Sequence, residues 1–79
     1  MIIKLIYIKD IAILDAKDLV PCGDAFSMRL KGKLISICGN VYELSEDIPK
    51  FRKGALRAAN GVYLIECDED MNCVAARSR

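Results

Sequence analysis

Apolar and polar residues alternate along much of this chain, and the period of the alternation changes once. "AFSMRL" puts Phe26, Met28 and Leu30 on one face, and "KLISIC" does the same with Ile35 and Ile37. A period of two over such lengths predicts half-buried strands, and the short link between them predicts a hairpin. With Lys31 and Gly32 as the turn, Met28 faces Ile35 and Phe26 faces Ile37, so the apolar sides agree across the pair. The stretch over residues 2–8, "IIKLIYI", is β-rich with Lys4 its only charge. It reads as a central strand, extended as "IAIL" over residues 11–14. "DAKDLVPCGD" is charged and carries Pro21 and Gly23, which predicts a loop.

The period becomes ambiguous after Cys38. "GN" (Gly39, Asn40) can close a second tight turn, which makes "VYEL" a strand with Tyr42 against Ile37 and Leu44 against Ile35. Yet Val41, Leu44, Ile48, Phe51 and Ala55 also recur at helical spacing, and Asn40 is a good helix cap. Pro49 opposes one unbroken helix, because it lacks a donor and clashes one turn back. It fits the first turn of a helix capped by Ser45 or Asp47. The reading adopted is a strand to Leu44 and a helix over residues 47–59, stopped by Asn60 and Gly61; strand against helix at residues 41–44 stays open. "VYLIEC" and "NCVAAR" then pair around an acidic turn. The sum is one α+β domain over residues 1–79: a meander, one helix and a C-terminal hairpin, arranged as an OB-like barrel or as a mainly antiparallel sheet with the helix across it.

Composition narrows the chemistry. Seventy-nine residues that are 53% hydrophobic make one small core, worth only about 3–5 kcal/mol net, so a metal, a disulfide or a partner would add usefully to it. Net charge is +1, which gives no global reason to expect nucleic acid. There is no histidine, which removes the usual general base and the usual zinc nitrogen ligand. No paired carboxylates or phosphate-cradling glycine loop stand out, and the expectation is a non-enzyme. No run approaches the ~18 apolar residues of a membrane span. The N-terminal apolar stretch is short, is broken by Lys4 and ends at Lys9 and Asp10, so it reads as a strand and not as a signal peptide. A cytoplasmic location is therefore expected, where thiols stay reduced.

"CGDAF", then "GKLISIC", then an amphipathic segment ending in "RKGA", then "IECDED" and "VAARSR" form an ordered pattern. It resembles that of small prokaryotic proteins of unknown function with the order C…GDEF…G(I/L)C…CPD. The likeness spans residues 2–77. Cys22, Cys38, Cys67 and Asp68 or Glu69 fall near the family positions. This chain departs from it in having "CDED" for "CPD" and no histidine after the second cysteine. The resemblance implies a helix directly after that cysteine and implies no particular chemistry.

The four cysteines are separated by fifteen, twenty-eight and five residues. None of these gaps is a zinc knuckle, so Cys22, Cys38, Cys67 and Cys73 form a zinc (or iron) site only if strands bring them together. Free cysteine otherwise behaves as a small buried hydrophobe. If five residues form the last turn, Cys67 and Cys73 sit opposite each other with Cα atoms about 4.5 Å apart, close to disulfide geometry; if four, they do not meet. The acids Glu66, Asp68, Glu69 and Asp70 disfavour a reactive thiolate there and favour a cation.

Lys50, Arg52, Lys53 and Arg57 gather on the expected helix. They suit an acidic partner, nucleic-acid phosphates or the chain's own acidic hairpin in a second copy. The leading expectation is a protein-interaction or self-associating module. The alternatives are a cysteine-based metal-binding accessory protein and an OB-like nucleic-acid binder using the basic helix.

Overall fold

The computed structural model describes residues 6–8 and 11–78; the expected strand over residues 2–8 falls partly outside the described residues. Among the described residues eight strands follow one another: β1 (Ile6–Ile8), β2 (Ile13–Ala16), β3 (Ala25–Lys31), β4 (Leu34–Ile37), β5 (Asn40–Glu43), β6 (Lys53–Ala58), β7 (Gly61–Cys67) and β8 (Asn72–Arg77). They form one sheet in the order β1-β2-β6-β7-β8-β3-β4-β5. Every pairing is antiparallel except β2 with β6, which is parallel. A flat sheet of this many strands would be about 34 Å across. The chain measures 27 × 25 × 25 Å, so the sheet curls around its own buried face.

That face is the core. Leu14, Leu56 and Tyr63 stand side by side on β2, β6 and β7, and all are fully buried. Ile65, Ala75 and Phe26 form the neighbouring row, and Cys67, Cys73, Met28 and Ile37 the next. Each large aliphatic side chain buried here contributes about 1.5–3 kcal/mol of transfer free energy. Leu19, Leu44 and Met71, from the connecting segments, belong to the same cluster.

The expected α+β architecture is wrong: among the described residues there is no α-helix, and residues 47–59 are an extended strap followed by β6. The helical spacing of Ile48, Phe51 and Ala55 was misleading. Ile48 and Phe51 lie half-buried against the core from the strap. From Lys53 onward the chain gains two ladders, to β2 on one side and β7 on the other, which local helix propensity does not match. Asn60 and Gly61 do not cap a helix either. Ala58 pairs with Gly61, so Ala59 and Asn60 form a two-residue hairpin link, and Gly61 takes a φ of +133°. With the helix goes the OB-like arrangement, and residues 40–43 are strand β5, not the helix that the family resemblance implies after Cys38.

Both expected hairpins of the meander exist, each with its register displaced by two. Met28 pairs with Ile37 and Leu30 with Ile35, around a turn at Gly32 and Lys33. Tyr42 pairs with Ile35, around Cys38 and Gly39, whose φ values of +53° and +80° are those of a type I′ turn. A shift of two keeps every side chain on its expected face.

Candidate functional site

The four cysteines make two disulfides, Cys22–Cys38 and Cys67–Cys73, and leave no free thiol. Cys67 and Cys73 are directly opposed across β7 and β8, with Cα atoms 4.0 Å apart. The five-residue turn is therefore the one adopted. Asp68 organises it: its Oδ1 accepts the backbone N–H groups of Asp70 at 2.9 Å and Asn72 at 3.0 Å. The other bridge ties the loop before β3 to the β4–β5 turn, with Cα atoms 6.0 Å apart. Among the described residues, no group of three or more Cys, Asp or Glu side chains is gathered to hold a metal ion.

These bridges also correct the expected location. Disulfides form and persist in oxidising compartments, so the two of them point to an oxidising, extracellular or periplasmic setting rather than to the cytoplasm.

The basic residues are not on one face. Lys50 and Arg52 sit on the strap, where Arg52 Nη2 lies 3.6 Å from Glu69 Oε1 in a fully exposed ion pair of small energetic weight. With Phe51 and Met71 they border a groove of about 460 Å³. Lys53 and Arg57 lie on β6, on the outer face of the sheet, opposite Glu66 and Val62 respectively. The spacing that unites the four on a helix separates them on a strap and a strand.

The outer face holds the feature that sequence reasoning left unplaced. Ile8 pairs with Ile13, Ile13 with Ala55, Ala55 with Leu64, Leu64 with Ala76, and Ala76 with Ala25. Directly opposed residues share a face, so one unbroken apolar row crosses six strands. Val62 and Val74 border it on β7 and β8. Leu64 is 56% exposed, Val74 58% and Val62 41%. On the flanks Asp15 stands opposite Arg57, and Lys53 opposite Glu66. The sequence did carry a signal for this. "VYLI" on β7 is apolar at four consecutive positions, the pattern of a strand covered on both faces and not of one with a solvated side.

The class defined by these observations is a disulfide-stapled, all-β domain with an open sheet whose outer face is apolar through its middle. No family model, no curated protein and no solved structure matches the chain.

Proposed function

We propose that this domain is a non-enzymatic interaction module that binds a protein surface through the outer face of β6, β7 and β8. The observation that carries the reading is the apolar row centred on Ala55 and Leu64. Leu64, Val62 and Val74 are exposed and Ile8, Ile13 and Ala55 half-buried; exposed apolar surface raises the free energy of a free monomer and marks docking sites. Charge is sparse along the row and concentrated at its borders, which is the composition of an interface core with a polar rim. The disulfides suit the same role, since they hold a small sheet rigid while one of its faces is committed to a partner.

A photo-crosslinking amino acid placed at Leu64 tests this in the producing cell. The expected result is a covalent adduct to protein from Leu64 and none from Glu46, which is exposed outside the sheet. No protein adduct from Leu64 would sink the reading.

A further inference from the structure

We infer that the occupant of this face is a second copy of the same chain, docked about a two-fold axis that runs along the strands between β6 and β7; this rests on the interaction reading above. Two observations point to it. The first is the position of the row. It runs Ile8, Ile13, Ala55 on one side and Leu64, Ala76, Ala25 on the other. Its midpoint falls between Ala55 and Leu64. A two-fold interface must be self-complementary, and rotation about that midpoint lays each half of the row on the other: Ala55 on Leu64, Ile13 on Ala76.

The second observation is charge. The same rotation sets Lys53 of each copy against Glu66 of the other and Arg57 against Val62. Two opposite-charge pairs therefore border the apolar contact and no like charges meet. An axis running across the strands instead would set Lys53 against Arg57, a like-charge contact that costs affinity. The charge pattern thus selects one of the two ways of stacking the sheets face to face. Packed sheets lie about 10 Å apart with strands roughly aligned, which such an axis allows.

Because the sheet curls, the contact is the strip formed by β2, β6, β7 and β8. Strand and residue spacings give this strip about 400 Å² per copy. About 800 Å² in total falls below the roughly 1,200 Å² at which stable specific interfaces begin and belongs with weak, transient contacts, so the dimer forms and dissociates readily with concentration.

Sedimentation equilibrium on the oxidised full chain, from about 10 μM to about 1 mM, tests this. The wild-type chain is expected to associate to a dimer over that range. Leu64→Glu is expected to remain monomeric. Lys53→Glu and Glu66→Lys are each expected to raise the dimer Kd by about tenfold or more. Mixing the Lys53→Glu chain with the Glu66→Lys chain restores opposite charges across the axis at both pairs. The expected result is a heterodimer with a Kd within about threefold of wild type. Mixing cannot repair a defect inside either chain, so recovery reports the interface itself. Near-ultraviolet circular dichroism confirms that each variant is folded. A wild-type chain that stays monomeric at every concentration would overturn the inference, as would a dimer indifferent to all three substitutions. The interaction reading is judged separately: a Leu64 adduct to a different protein keeps it and discards the second copy, and no adduct discards both.

Discussion

Tyr63 shows how much one side chain contributes in a core this small. Its ring is fully buried and lies 5.1 Å from that of Phe26 at 58°, a tilted pair. Its hydroxyl donates to the carbonyl of Gly23 at 2.9 Å and accepts from Asn60 Nδ2 at 3.0 Å. One oxygen therefore ties the β6–β7 turn to the loop that carries Cys22. Tyr63→Phe leaves the ring contact in place and strips both partners of a bond. The expected cost is about 1–3 kcal/mol, read by urea denaturation with an unchanged slope. The strand carrying Tyr63 was legible in "VYLIEC", but with four consecutive apolar positions its sequence does not say which face is buried. The hydroxyl's partner was not legible, because Gly23 lies forty residues away along the chain and only the folded sheet brings the two together.

The elements show which information a local pattern holds. In both hairpins of the meander the alternation specified the face of every residue. The register was displaced by two because alternation is blind to even shifts, whereas the turns settle the matter through backbone angles. Gly32 (φ +59°) and Gly39 (φ +80°) supply the left-handed conformations, and pairing is counted outward from them. The strap and β6 depart from their helical pattern for a different reason. Ile48, Phe51 and Ala55 fit a helix locally, and the competing ladder on β2 lies about forty residues upstream. Gly54 records that ladder. A Cβ built there would stand 2.6 Å from the carbonyl oxygen of Ala12 and 2.8 Å from Phe51 Cε2. A glycine in a strand that admits close approach of another chain segment is the physical signature, and a helix reading gives it no role. Gly54→Ala is expected to destabilise by about 2 kcal/mol or more, through loss of the parallel junction between β2 and β6. Gly23→Ala, where the nearest atom is 4.0 Å away, is expected to stay within about 0.5 kcal/mol of wild type. Thermal unfolding of the pair checks the contrast.

At the scale of the whole molecule, the sheet is two three-stranded meanders, β3-β4-β5 and β6-β7-β8, joined at β3–β8 and edged by the β1–β2 hairpin. Each meander holds one end or both ends of a disulfide. Cysteine count was legible in the sequence, but pairing was not: the opposition of Cys67 and Cys73 hung on the turn length, and nothing local relates Cys22 to Cys38. Loop length sets what each bridge removes from the unfolded chain's entropy. Cys22 and Cys38 are 16 residues apart, and Cys67 and Cys73 are 6. Replacing the first pair by serine is expected to cost about 3 kcal/mol and the second about 2 kcal/mol; a larger loss from the second pair, measured by denaturation, would contradict that order. The order of the bridges along the chain has a further consequence, for biosynthesis. Each bridge joins cysteines that are neighbours in the sequence, one of three pairings open to four cysteines. A chain that meets an oxidant from its N-terminus onward completes the first pair before the third thiol arrives. Maturation on that route calls for an oxidase and no reshuffling, so the yield of correctly bridged chain from a cell that exports it during synthesis should be the same with and without a disulfide isomerase.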